Sequence, residues 1–231
     1  MSIQLFIKTF IIIHAIAGTV ALLAGPVAML TKKGASKHRL AGRYYTYSMG
    51  VVFVTAVVVA YLKSLTFLFM IAFFSFYLVL SGYRALRWKR LAIDGKVATL
   101  DWSIQIGAGI TAALLIAWGL WQVVNQSFFG AVGIVFGVIA LARVKQTIDG
   151  FRNPPEDKSY WLYSHIIGMS AGYVATLTAF LVVNIHFLPQ VIVWLLPTLI
   201  GVPLIVRVVR QIKSANEQKA EKAVIDSGIV V

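Results

Sequence analysis

Long apolar runs, separated by short polar segments, dominate the pattern of hydrophobic and polar positions along this chain. Each run is about 20 residues long, the length that an α-helix needs to cross the hydrocarbon core of a bilayer. The alternating apolar and polar positions that mark the strands of an outer-membrane barrel are absent. The pattern therefore predicts seven membrane-spanning helices, at residues 5–30, 44–62, 65–86, 101–123, 127–146, 161–185 and 189–208.

The spans predict a single membrane domain at residues 1–213, followed by a short polar tail at residues 214–231. The first span lacks the features of a cleaved signal peptide, because it is too long and because only Lys8 precedes its centre. We expect no separate soluble domain for catalysis or ligand binding.

Small residues and prolines predict how the helices pack. Glycine pairs at a spacing of four, at 133–137 and 168–172, are typical of faces on which membrane helices approach closely. Pro197 and Pro203 lie within the last span. Because proline removes a backbone donor, the two residues predict a kinked or locally unwound helix there.

The composition agrees with this interpretation. The chain has 231 residues, of which 59% are hydrophobic and only 13% are charged, whereas a soluble domain carries about 25% charged residues. Cysteine is absent, which excludes disulfides and thiolate metal sites. The predicted fold class is therefore an all-α polytopic membrane protein with a bundle of seven transmembrane helices.

The basic residues predict the orientation of this bundle. All but two of the 21 Lys and Arg residues fall on one side of the predicted membrane, the exceptions being Lys8 and Lys63. Basic connections face the cytoplasm, so we expect the N-terminus outside and the C-terminus in the cytoplasm of a bacterial inner membrane. The basic connections are residues 31–43, 84–96 and 143–158, together with the chain from 207 onward.

The net charge of +13 follows from this orientation, so we do not expect a nucleic-acid partner. The stretch at 31–47, TKKGASKHRLAGRYYTY, carries five cationic side chains and no acid. Such a segment attracts anionic lipid headgroups at the cytoplasmic face, and these are the predicted partners together with the bilayer itself.

Histidines are the main candidates for chemistry. No Asp or Glu lies in the membrane interior, and Asp101 sits at the cytoplasmic mouth of the fourth span. The absence of buried acids weakens the case for ion-coupled transport. No nucleotide-binding loop, zinc-protease motif or serine-nucleophile elbow is present. His14 lies in the middle of the first span, His165 lies near the cytoplasmic end of the sixth, and His38 lies in the basic segment.

His14 and His165 share their helix faces with small residues, which leave room for a flat cofactor with imidazole as an axial ligand to haem iron. The same faces suit histidines that only form hydrogen bonds to a neighbouring helix. At about 1.5 Å per residue, His165 lies roughly 10 Å nearer the cytoplasm than His14, so those two make a poor pair of ligands. His38 and His165 are predicted at the same depth and pair better.

The predicted cofactor site therefore contains His38 and His165, with His14 as a further candidate. Met169 lies one helical turn from His165, and Arg39 and Arg43 are available to haem propionates. The predicted cofactor is haem b, or a metal ion on His38 and His165. A quinone-like headgroup or an anionic lipid fits the same residues, and Arg39 and Arg43 also have a simpler explanation in membrane orientation.

Three functions are consistent with these residues. The first is a redox or cofactor-binding membrane module that uses the histidines. The second is a transporter or channel for a small solute, and the third is a non-catalytic sensor or assembly partner, as a homo-oligomer or with another membrane protein. No motif assigns an enzymatic reaction. The transporter hypothesis relies on the last span and on the polar residues Gln105, Thr111, Ser170, Tyr173 and Thr176.

Four motifs, taken together, resemble a bacterial family of multi-pass inner-membrane proteins that is catalogued only as a domain of unknown function. The resemblance covers nearly the whole chain except the tail; it implies one complete bacterial membrane domain and assigns no activity. The general plan is also somewhat similar to small b-type cytochromes, although the ligand spacing does not match theirs closely. The motifs are KHRLAGRYY at 37–45, SGYRALRW at 81–88, HIIGMSAGYVATLTAFLVVN at 165–184 and WLLPTLIGVP at 194–203.

The predicted orientation can be tested with fused reporters. A fluorescent protein that matures only in the cytoplasm should be bright after Val231, where a periplasmic phosphatase should be inactive, because the basic connections hold that end inside. The same reporters after Ser64, in a predicted outer connection, should give the opposite pattern. Phosphatase activity after Val231 would contradict the topology.

Overall fold

Helices account for nearly all of the chain that the structure describes. The computed structural model describes the backbone of residues 2–226 and the side chains of residues 2–218. Seven helices in this part are long and apolar enough to cross a membrane, and it contains no strand, so the predicted all-helical class with seven spans is confirmed. The α-helices are α1 (Ile3–Leu30), α2 (Ser36–Leu62), α3 (Thr66–Arg84), α4 (Leu91–Asp94), α5 (Thr99–Val124), α6 (Gly130–Arg152), α7 (Tyr160–Asn184) and α8 (Gln190–Asp226), and a 3-10 helix (Ala85–Arg90) links α3 to α4.

Several helices extend beyond the predicted spans into the polar connections. α2 begins at Ser36, so the basic residues near His38 lie on its first turns rather than in a loop. α8 continues unbroken into the polar tail as far as Asp226. Hydropathy marks where a helix leaves the apolar layer, but a helix stops only where its backbone hydrogen bonds stop.

Arg143 is the residue for which this difference matters most. The sequence places it at the start of a cytoplasmic connection, but α6 continues to Arg152 and Arg143 is buried within the bundle. The buried face of α6 continues through Ala140, Arg143 and Thr147, at the three- and four-residue spacing of a packed helix. Arg143, which the sequence counts both in the predicted span 127–146 and among the cations of the connection 143–158, therefore belongs to the helix and to its buried face.

The prolines of the last span do not unwind it. α8 is helical on both sides of Pro197 and Pro203, so the expected local unwinding does not occur in the described backbone. Each proline removes only one backbone donor, which a membrane helix tolerates when neighbouring groups compensate for the loss.

α3 and α7 lie at the centre of the bundle. α3 contacts α2, α5 and α7, while α7 also contacts α1 and α8. Their backbones meet at Gly82 and Gly168: a Cβ added to Gly82 would lie 2.6 Å from the backbone nitrogen of Met169 and 2.9 Å from the Cα of Gly168. Because lipid supplies little hydrophobic drive for helix association, such close backbone contact is a main source of attraction.

Polar contacts join the other helices to this centre. Arg84 at the end of α3 forms a buried ion pair with Asp101 in the first turn of α5. The Tyr45 hydroxyl on α2 lies 3.2 Å from the Thr176 hydroxyl on α7. These contacts fix the order of the helices around α3 and α7.

Replacing Gly82 with alanine tests the close approach. The added methyl group meets the backbone of α7, which cannot rotate away, so we expect a loss of about 1–3 kcal/mol in stability. Tryptophan fluorescence of the detergent-solubilised protein should show the lower unfolding temperature. Gly107→Ala is the matched control, because no atom lies within 4 Å of a Cβ at Gly107. Equal unfolding temperatures for the two variants would mean that the contact contributes nothing.

Candidate functional site

A pair of histidines lies where α1, α2, α3 and α7 come together. His38 extends from the first turn of α2, and His165 extends from the second turn of α7. Their ring centroids are 6.4 Å apart, and the ring planes are inclined at 76°. Both side chains are half-buried. The fold thus brings together residues that are 127 positions apart in the sequence.

Each ring is held by one backbone hydrogen bond. The Nδ1 atom of His38 lies 2.8 Å from the carbonyl oxygen of Ala28, and the Nδ1 atom of His165 lies 2.9 Å from that of Gly82. A carbonyl oxygen can only accept, so in both rings Nδ1 donates its proton. The neutral imidazole then carries a lone pair on Nε2, which is the arrangement found in metal-binding histidines.

Helix ends supply both acceptors. Ala28 belongs to the last turn of α1, and Gly82 belongs to the last turn of α3. The last four carbonyl groups of a helix have no partner within it, so they remain available to side chains of neighbouring helices. The orientation of both rings therefore depends on where α1 and α3 end.

The other residues predicted to join the histidines have different surroundings. Arg39 donates to the carbonyl oxygen of Gly34, close to it in the chain, and Arg43 is exposed on α2. Met169 packs into an apolar cluster with Tyr45 and other residues of α1, α2 and α3. None of the three has a described hydrogen bond to either imidazole.

His14 lies elsewhere and has a partner of its own. Its Nδ1 atom is 3.0 Å from the hydroxyl oxygen of Thr55 on α2. That hydroxyl donates to the carbonyl oxygen of Val51 at 2.7 Å, so it accepts the proton of His14. His14 therefore joins α1 to α2 rather than extending the histidine pair.

The haem prediction requires space beside the histidine pair. A ligand of that size needs a largely apolar pocket of roughly 300–1,000 Å³. Two cavities border the described residues, one of about 50 Å³ among α3, α6, α7 and α8 and one of about 500 Å³ between α1 and α2, and neither is lined by His38 or His165. Beside His165, α3 and α7 are already in backbone contact at Gly82 and Gly168.

A metal ion needs less space than haem, and the histidine pair supplies two ligands for it. Among the described residues, no third His, Asp or Glu completes a cluster with the pair. Imidazole nitrogen is a good ligand for zinc, copper, nickel and iron. The two free Nε2 atoms suit an ion that keeps its remaining positions for water or for another ligand.

The polar residues expected to line a transport path have separate hydrogen-bond partners in the bundle. Tyr173 donates to the carbonyl oxygen of Leu22, and Thr176 contacts Tyr45, whereas Gln105 accepts from Tyr77 in another part of the bundle. None of the five residues named for this path lines either cavity.

The fold and these contacts define the class: a multi-pass, all-helical membrane protein with a histidine pair at one end of its central helices. No protein-family model matches the chain, and the comparisons with curated proteins and with solved structures found no match either. The resemblance to an inner-membrane family therefore stays a prediction.

A double-mutant cycle tests the role of His14. His14→Leu and Thr55→Val each remove one partner of the bond between α1 and α2, so the double variant should lose less stability than the two single variants combined. We expect a coupling of about 0.6 kcal/mol, and at most about 1.7 kcal/mol, as for other hydrogen bonds between membrane helices. Additive losses in unfolding free energy would show that the two side chains do not interact.

Proposed function

We propose that this protein is a metal-binding module of the bacterial inner membrane that holds one transition-metal ion between His38 and His165. The observation that carries the proposal is the pair of Nδ1 hydrogen bonds to the ends of α1 and α3. They leave both Nε2 atoms as acceptors and fix both rings before any ligand arrives. Histidine ligands in metal proteins are oriented by the same kind of outer contact.

The spacing of the rings suits one shared ion. Two imidazoles bound to a metal at about 2.0–2.1 Å place their ring centroids about 5–6.5 Å apart, depending on the angle at the metal. The distance of 6.4 Å between the centroids of His38 and His165 lies at the upper end of this range, which corresponds to a nearly linear arrangement of the two nitrogens around the ion. For tetrahedral coordination the two rings would have to approach each other by about 1 Å.

In the predicted orientation, the histidine pair lies on the cytoplasmic side of the membrane. With the N-terminus outside, the ends of α1 and α3 and the starts of α2 and α7 all face the cytoplasm. The half-buried rings would then take up an ion from that side, among basic residues that favour an anionic co-ligand. A site with two protein ligands and open positions suits metal exchange or redox chemistry with a further ligand.

Cobalt titration of the purified full chain in detergent tests the site. Co²⁺ bound to imidazole absorbs visible light, and Zn²⁺ should displace it, so the affinity for both ions can be measured. We expect one ion per chain. His38→Ala and His165→Ala should each weaken binding by more than about 100-fold, because losing a ligand outweighs the 10- to 100-fold effect of losing an outer contact.

His186→Ala is the matched control, since His186 is an exposed histidine at the other end of α7 and should bind as wild type does. Equal affinity in wild type, His38→Ala and His165→Ala would show that the histidine pair does not bind the ion. Absorption spectra before and after reduction with dithionite give a second check. A Soret band that is present in the wild type and lost in His165→Ala would show that the histidine pair binds haem and not a metal ion alone.

A further inference from the structure

Arg143 is a buried cation without an acidic partner. The residue is 6% exposed and lies in the second half of α6, nine residues before the helix ends at Arg152. None of the ion pairs among the described side chains includes it, and the one buried acid there, Asp101, is paired with Arg84. A buried charge in a membrane bundle is unfavourable unless an opposite charge compensates for it.

Neutral groups form hydrogen bonds with only part of the Arg143 guanidinium group. Its Nη1 atom donates to Oε1 of Gln146 at 2.8 Å, and Nη2 donates to the carbonyl oxygen of Ser164 at 3.3 Å. Nε has no hydrogen-bond partner among the described residues. The positive charge is therefore oriented by dipoles but is not neutralised.

Other unpartnered polar atoms belong to the same cluster. The Tyr77 hydroxyl donates to Oε1 of Gln105 at 2.9 Å. The same hydroxyl has Arg143, Ser81 and Thr147 as its neighbours. The amide nitrogen of Gln105 and the hydroxyl oxygen of Ser81 have no described partner, although each residue is only 1% exposed. Thr147 already donates to the carbonyl oxygen of Arg143.

Three groups that can donate hydrogen bonds, on Ser81, Gln105 and Arg143, thus have no described partner in a cluster with an uncompensated positive charge. Arginine Nε and an amide nitrogen can only donate, and a serine hydroxyl can donate as well. A group that accepts hydrogen bonds and carries one negative charge satisfies all three and neutralises Arg143. Because these side chains are almost fully enclosed, the group can contain only a few atoms.

We propose that Ser81, Gln105 and Arg143 form a binding site for a small monovalent anion, either a halide or a short carboxylate. The site does not depend on the histidine pair. Ser81 and the carbonyl group of Ser164, which accepts from Arg143, belong to the anion site, whereas their neighbours Gly82 and His165 belong to the histidine pair.

Thermal unfolding of the full chain in detergent tests this proposal. The protein is placed in gluconate, an anion too large for the enclosed cluster, and gluconate is exchanged for chloride or formate at constant ionic strength. Tryptophan fluorescence reports unfolding. Wild type should show a saturable rise of about 5–10 °C when the anion is 100-fold above its dissociation constant.

Arg143→Gln should abolish this rise, while Arg43→Gln, which removes an exposed cation, should keep it. Gln105→Glu keeps the test valid if Arg143→Gln does not fold. It supplies a carboxylate of nearly the same shape inside the cluster, so it should unfold at a higher temperature than wild type in gluconate and respond to neither added anion.

A rise with chloride alone assigns a halide to the site, and a rise with formate alone assigns a carboxylate. No rise with either anion overturns the proposal. A rise of equal size in Arg143→Gln, or an unchanged response in Gln105→Glu, overturns it as well.

Discussion

The contact between α3 and α7 at Gly82 and Gly168 is the constraint on which the rest of the structure depends. Helices in lipid gain little from hydrophobic association, so they are held by van der Waals contact and by a few polar bonds. The missing side chains at these two positions let the backbones touch. Because α3 and α7 also contact most of the other helices, this approach sets the positions of polar groups on both of its sides.

The histidine pair illustrates how backbone geometry creates a site. His38 and His165 are oriented by backbone carbonyl groups in the last turns of α1 and α3, not by carboxylates. No acidic residue in the sequence marks such a site. The carbonyl groups do not mark it either, because every helix end carries them. Met169, by contrast, shares a helix face with His165 but packs into an apolar cluster with Tyr45.

Half-buried Arg84 and buried Arg143 differ in how their charges are compensated. Arg84 is neutralised by Asp101, and this pair ties α3 to α5. Arg143 has only dipoles around it, and unpartnered donors lie nearby. A paired charge is explained by structure alone, whereas an unpaired buried charge is a functional candidate by default. α3 and α7 therefore both contribute to two groups of polar residues with different chemistry.

The sequence alone determined the class of protein and the seven spans, because burying a helix in lipid requires a local run of about 20 apolar residues. It also predicted that His38 and His165 lie at a similar depth. It could not show that α6 continues past residue 146, because hydropathy does not record where a helix ends, nor that Arg143 faces the interior of the bundle. The tertiary structure alone decided which carbonyl groups meet the imidazoles and which donors surround Arg143. Those contacts join residues far apart in the chain, and their distances depend on how closely α3 and α7 approach.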